Sequence, residues 1–300
     1  MVSLDKLAVG RIVCAGAGIL AVAAFAPAQA QMLATHPAAA ASSPARSTSG
    51  LAQPAGVPPT ATPPAASTFT CTTPAEFARF SNPLRHAARR IAAGEPLTIV
   101  AVGSSSTAGA GASSPAASYP SRLAAELKQR FPALDITVLN RGVNGEETAQ
   151  MIKRFETGVL PSHPDLVLWQ VGTNSVLRDH SLKAHSAMLQ DGIAQLAAAG
   201  ADVVLIDMQF APRVLAKPET QGMEDQIALV AKEANVDLFN RFAVMRNWHE
   251  VQHIPFEDFV APDKLHINDW GYACVAKLLA VAITEAATRP TASAAMHARH

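Results

Sequence analysis

Residues 97–111, Leu-Thr-Ile-Val-Ala-Val-Gly-Ser-Ser-Ser-Thr-Ala-Gly-Ala-Gly, decide how the rest of the chain reads. Leu97, Ile99, Val100 and Val102 form a short β-branched-rich apolar run without polar alternation, which predicts a parallel strand covered on both faces. Gly103 stops the strand. The hydroxyl-rich loop after it would sit just past a strand's carboxyl end, where open α/β sheets gather their reactive groups. A following helix would aim its first amide hydrogens at the same spot. Ser105 is the candidate nucleophile on this reading. Ser-rich turns after strands also cap helices and do nothing more, so the assignment depends on partners elsewhere in the chain.

Outward from that stretch, strands and helices alternate. Upstream, 72–93 has helical spacing, with Phe77, Phe80, Leu84, Ala88 and Ile91 on one side. Downstream, helices are expected over 118–131, 146–158, 182–199, 222–235, 241–248 and 269–286. Strands are expected over 136–139, 165–171, 202–208 and 236–239, and a loop spans 252–266. This alternation predicts a three-layer αβα sandwich around a five-stranded parallel, flavodoxin-like sheet, joined by right-handed crossovers. Loops after the first three strands would then meet on one edge.

Those loops and one near the end hold the unusual residues. The second strand delivers Asn140-Arg141-Gly142-Val143-Asn144-Gly145, the third ends at Gly172-Thr173-Asn174-Ser175, and Asp263-Lys264-Leu265-His266 precedes the last helix. Acyl transfer needs a nucleophile, a base, a group that orients the base and donors for the oxyanion. Ser105 fits the first role. His266 supplies an imidazole, whose unperturbed titration lies near neutrality, and Asp263 three residues earlier faces the same way on a turn. The amides of Ser105 and Gly145 and the side-chain amide of Asn174 are candidate oxyanion donors; glycine permits close backbone approach and Asn does not titrate. Singly, Gly145 also reads as a turn glycine, Asn174 and Asp263 as helix caps, and His266 as a surface residue. The four in order, at strand ends, are poorly explained by those readings.

The blocks Gly103-Ser104-Ser105, Gly145, Gly172-Thr173-Asn174 and Asp263-Lys264-Leu265-His266 resemble the SGNH (GDSL-type) hydrolase family over about residues 96–287. The resemblance implies the SGNH hydrolase fold, a Ser105–His266–Asp263 triad, an oxyanion hole of Ser105, Gly145 and Asn174, and an acyl-enzyme route without metal or cofactor. One departure is Ser104, where the family carries Asp; in the family that Asp supports loop geometry, a task open to a hydroxyl. Other motifs fail: Gly109-Ala110-Gly111 lacks the third glycine of a dinucleotide fingerprint, no P-loop occurs, and Ser105 lacks a Gly-x-Ser-x-Gly frame.

The remaining segments suggest a setting. Residues 1–30 carry Lys6 and Arg11, a short apolar stretch and Ala28-Gln29-Ala30, the pattern of a secretory signal peptide. Residues 31–70 are mostly Ala, Pro, Ser and Thr, a disordered linker. The hydrolase domain is expected over 71–288 and a flexible tail over 289–300. Loss of Lys6, Arg11 and Asp5 with the leader leaves 22 basic and 23 acidic residues, which supports neither nucleic-acid nor anionic-membrane binding. Cys71 and Cys274 are then the remaining cysteines, a pair expected to be bridged in an oxidising compartment. No CxxC or HExxH suggests a metal.

A secreted or periplasmic monomer without an integral membrane domain is expected, acting on short acyl esters such as acetyl groups on a glycan. An O-acyltransferase and a catalytically weak glycan-binding domain are the alternatives. Gln209, with Phe210 and Arg213, follows the fourth strand and is a candidate for lining the acceptor side. His180, His185, His249 and His253 read as surface or loop residues.

Overall fold

Strands β1 (Leu97–Gly103), β2 (Ile136–Gly142), β3 (Leu166–Gln170), β4 (Asp202–Ile206) and β5 (Asp237–Phe239) pair in parallel in the order β2-β1-β3-β4-β5. The computed structural model describes residues 69–289; the expected leader, residues 31–68 of the expected linker and the tail beyond 289 lie outside the described residues. β3 is buried along its whole length, as its unbroken apolar run requires, whereas β2 is a half-exposed edge.

The chain winds one way from β1 to β2 and the other way from β1's far side through β3, β4 and β5. Helices Arg85–Ala93, Tyr119–Arg130 and Asp269–Thr288 pack together on one face; Thr148–Lys153, Leu182–Ala198 and Thr220–Glu233 pack on the other. The expected three-layer sandwich is therefore the observed one. Asp269–Thr288 is long and apolar enough to cross a membrane, yet most of it is buried, as in the core helix of a sandwich. The strand order reverses between β1 and β3, which opens a crevice at their carboxyl ends. Register aligns those ends: Gly103 pairs with Gly142, and Val102 with Trp169.

Three carboxylates clamp the opposite, amino edge. Asp165 accepts from the Thr98 amide at 2.9 Å, Asp202 from the His86 and Ala87 amides at 2.9 and 3.0 Å, and Asp237 from the Ser81 and Asn82 amides at 2.7 and 3.1 Å. Each satisfies backbone donors that no helix or strand would otherwise pair. The Cys71–Cys274 disulfide, with Cα atoms 5.4 Å apart, adds a covalent tie between the lead-in and the last helix.

Several expectations change. The helix expected over 146–158 is α-helical over Thr148–Lys153 and gives way to a wider turn over Phe155–Val159, and the loop expected over 252–266 holds a helical turn at Phe256–Phe259. The single helix expected over 72–93 is broken into Ala75–Ala78 and Arg85–Ala93. Pro83 disfavours helical backbone at Asn82, and the Asp237 carboxylate takes the amides freed at the break. His185, read as a surface residue, is 1 % exposed within Leu182–Ala198, with Nε2 2.9 Å from the Thr148 hydroxyl. Burial lowers its pKa to about 4, so it is neutral in the fold.

Candidate active site

The nucleophile turn forms because Gly103 lets β1 end against its neighbours. A Cβ there would lie 2.1 Å from Thr107 Oγ1 and 2.8 Å from Gln170 Oε1, so only glycine fits. The chain then turns at Ser104 into a four-residue helical turn, Ser105–Ala108, with Ser105 at its first position. Ser104, 2 % exposed, donates its amide and its hydroxyl to Gln170 Oε1, both at 2.9 Å. The backbone donor fixes the orientation of the Gln170 amide. A carboxylate at position 104 would face that oxygen, so the hydroxyl suits this turn.

The Asp263–His266 loop is pinned from both sides. Val260 and Ile267 form an antiparallel bridge, Ala261 N donates to His266 O at 2.7 Å, and Lys264 takes a left-handed conformation at φ 59°. That tight turn brings the Asp263 carboxylate under its own successors. Oδ1 accepts from the amides of Leu265 and His266, both at 3.0 Å, leaving Oδ2 2.5 Å from His266 Nδ1. On the ring's other side, His266 Nε2 is 2.7 Å from Ser105 Oγ. A carboxylate facing Nδ1 fixes that nitrogen as donor, so Nε2 of the neutral ring accepts from the serine hydroxyl. Burial pushes the Asp263 pKa up, but the His266 ring and the two amides outweigh it, and the group titrates below the usual carboxylate range. Gly111 backs the imidazole, since a Cβ there would lie 2.9 Å from His266 Cβ and 2.5 Å from Ile267 O.

Serine, imidazole and carboxylate stand in hydrogen-bonded sequence at the carboxyl end of a doubly wound sheet. The chain belongs to the Non-GDSL lipase-like family. The family's profile matches residues 70–289, nearly the whole described domain. At the level of sequence, no curated protein matches. Among solved structures, a two-domain esterase active on acetylated mannans, crystallised with mannopentaose, is similar at a TM-score of 0.58 and 22 % identity; the match covers 71 % of this chain and 58 % of that one. The chain thus spans a little over half of that two-domain protein. TesA is similar at 0.53 and 19 %, over 63 % of this chain and 99 % of that one. A variant acetyl-xylooligosaccharide esterase from Geobacillus is similar at 0.51 and 20 %, over 62 % of this chain and 94 % of that one. The shared fold is that of SGNH-type hydrolases.

Gly145 lies at φ +77°, and a Cβ would meet nothing closer than Arg178 at 3.7 Å, so glycine serves the turn's conformation rather than a tight approach. Its carbonyl accepts from Arg178 Nη2 at 3.0 Å, and Arg178 also pairs closely with Glu147. Asn174 is not a helix cap; Gly172 holds that position. Asn174 Nδ2 donates one hydrogen to Glu146 O at 2.7 Å, tying the β3 loop to the β2 loop, and retains its second hydrogen. Val143 N donates to Gly103 O at 3.0 Å and Asn140 Nδ2 to Thr107 O at 2.9 Å, which draws the β2 loop onto the serine turn.

Gln209 requires a correction. It is 1 % exposed and cannot line an acceptor site; its Oε1 accepts from Thr173 Oγ1 at 2.9 Å and from Arg241 Nη2 at 3.0 Å. Phe210 is likewise buried, stacked on Phe256, while Arg213 is exposed and donates its backbone amide to Lys264 O at 3.0 Å. Arg241, fully buried behind the serine turn, and the carboxyl pair Asp207 and Glu224 beside it carry no motif that marks them in the sequence. Burial raises Asp207 to about 6, and burial together with the Asp207 charge holds Glu224 well above the ordinary range. The weak signal for Arg241 was a lone charge inside Leu238-Phe239-Asn240-Arg241-Phe242-Ala243-Val244. Among the described residues, no group of three His, Cys, Asp or Glu side chains is placed to hold a metal ion.

Proposed function

We propose that this chain is a serine esterase that removes short, acetyl-type groups from an ester, with a glycan as the acyl carrier. The observation that carries the reading is the contact series from Asp263 Oδ2 to His266 Nδ1, 2.5 Å, and from His266 Nε2 to Ser105 Oγ, 2.7 Å. Ser105 Oγ attacks the ester carbonyl while its proton passes to His266 Nε2, and Asp263 holds the resulting imidazolium. The carbonyl π pair moves onto oxygen, where the Ser105 and Gly145 amides and the second Asn174 hydrogen are the donors available. Collapse breaks the ester C–O bond, and Nε2 returns the proton to the leaving alkoxide. Water, deprotonated by the same ring, then releases the acyl group as carboxylic acid and restores Ser105.

Ester hydrolysis is supported by the match to a lipase-like family. The acetyl and glycan preference is supported by structural neighbours that act on acetylated mannan and acetylated xylooligosaccharide. An oxidising, extracytoplasmic location is supported by the Cys71–Cys274 bridge together with the leader pattern of the sequence. Ser105→Ala is expected to abolish p-nitrophenyl acetate hydrolysis at an unchanged melting temperature; turnover retained by that variant refutes the nucleophile. Deacetylation of acetylated glycans, measured against long-chain esters, tests the substrate class. Preference for the long chains overturns it.

A further inference from the structure

Behind the three loops that meet at Ser105 lies a buried polar hub. Arg241, 0 % exposed, opens the helix Arg241–Arg246 after β5. Its Nη1 donates to Ser106 Oγ at 3.0 Å, and its Nη2 donates to Asp207 O at 2.6 Å and to Gln209 Oε1 at 3.0 Å. Gln209 Oε1 also accepts from Thr173 Oγ1 at 2.9 Å, and its Nε2 reaches Leu265 O at 3.4 Å. Because both neighbours of Oε1 are donors, the orientation of the amide is fixed.

Ser106 adjoins Ser105, Thr173 adjoins Asn174, and Leu265 adjoins His266. We propose that Arg241 and Gln209 form the positioning element of this site, one buried unit that holds the serine turn, the Asn174 loop and the His266 loop in mutual register. The inference rests on the catalytic reading of Ser105, Asn174 and His266 given above. Neither hub residue reaches the crevice, so each acts through the residue beside a reacting group.

Stability alone accounts poorly for such a hub. Burying a guanidinium carries a desolvation penalty that apolar side chains of similar volume avoid. Here the penalty is not fully offset, because Arg241 Nε is buried without a hydrogen-bond partner among the described residues. What a planar, forked donor does supply is fixed directions toward several oxygens at once, which an ammonium group does not. Mutual placement of the loops is also what this chemistry needs, since a misplacement of about 1 Å at a reacting group can cost about 100-fold in rate.

The test uses variants at the hub's spokes, where folding is least at risk. Thr173→Val keeps the side-chain volume and loses the hydroxyl; Thr173→Ser keeps the hydroxyl and loses a methyl. Positioning predicts a kcat for p-nitrophenyl acetate reduced about tenfold in Thr173→Val, near wild type in Thr173→Ser, with KM steady in both. A packing role predicts the reverse order, and that outcome overturns the proposal. Ser106→Ala is expected to lower kcat similarly, and the double variant Ser106→Ala/Thr173→Val to lose less than the product of the single losses, because one hub serves both spokes. Strictly multiplicative losses, or wild-type kcat in both single variants, also overturn it. Arg241→Lys, which keeps the charge without the fork, is expected to stay folded with kcat reduced about 100-fold. A wild-type kcat in that variant counts against the hub. Ser105→Ala is assayed alongside: if it remains active, the catalytic reading itself has failed, whereas a dead Ser105→Ala beside fully active spoke variants removes only the hub.

Discussion

At the amino edge of the sheet, Asp165, Asp202 and Asp237 accept from backbone amides between Ser81 and Thr98. At the carboxyl edge, Ser105, Asp263 and His266 bond to one another, and Asn174 bonds across loops with a hydrogen to spare. The first set closes the chain's own valences and anchors the lead-in. The second links side chains of different loops, from Asp263 through His266 to Ser105, and uses one of the two Asn174 amide hydrogens. One sheet therefore uses carboxylates for opposite ends. Burial raises the pKa of Asp202 and Asp237 despite the amides they accept from, while His266 and two amides take Asp263 below its ordinary range against the opposing effect of burial. By linkage, the titration of Asp202 and Asp237 subtracts stability as pH rises through the ordinary carboxylate range toward their raised values. Asp263 contributes stability above that range and loses it as pH falls.

The contrast is open to breakage from each side. Asn174→Ala, at the carboxyl edge, is expected to lower kcat for p-nitrophenyl acetate by about 10²- to 10³-fold, as loss of one oxyanion donor does elsewhere, with the thermal midpoint almost unmoved. A large fall in the midpoint with kcat retained would make that edge structural too. His185, buried on the far face, sharpens the division by titrating in neither set. Its folded-state pKa of about 4 lies below that of the unfolded chain, so its contribution is complete above about pH 6.5 and drains away as pH falls toward 4, by up to about 3 kcal/mol. Denaturant melts across that window should show the slope in wild type and a flatter one in His185→Gln. The smallest effect belongs to Asp202→Ala, which strands the His86 and Ala87 amides and should cost about 2 kcal/mol of stability while kcat stays at the wild-type value. A kcat lowered in proportion would erase the distinction between the edges.

The parts of this arrangement that were legible in the sequence are those whose cause is local. Val100 and Val102 announce a buried strand through their own chemistry, and Asp263 and His266 lie three residues apart on one turn. The Cys71–Cys274 pairing was readable because so few candidates existed for an oxidising compartment. What escaped depends on distance. Arg241 meets Ser106 across 135 residues, and nothing near either position signals the other. Gln209 reads as substrate-lining from its place after β4, yet its amide turns inward, where Thr173 and Arg241 donate to it. The lead-in helix failed for a similar reason: apolar spacing continued through Pro83, and the Asp237 carboxylate that makes the break comfortable lies 155 residues away.

The central claim is that Ser105 is activated by His266 at the carboxyl edge, and covalent labelling reads it directly. The purified protein is treated with a fluorophosphonate, and the modified peptide is mapped by mass spectrometry, with His266→Ala as the comparison. The account predicts one adduct per chain, on Ser105, formed in wild type and suppressed at least about 10²-fold in rate without the imidazole. An adduct on another residue, or labelling of Ser105 at equal rate in His266→Ala, would contradict it.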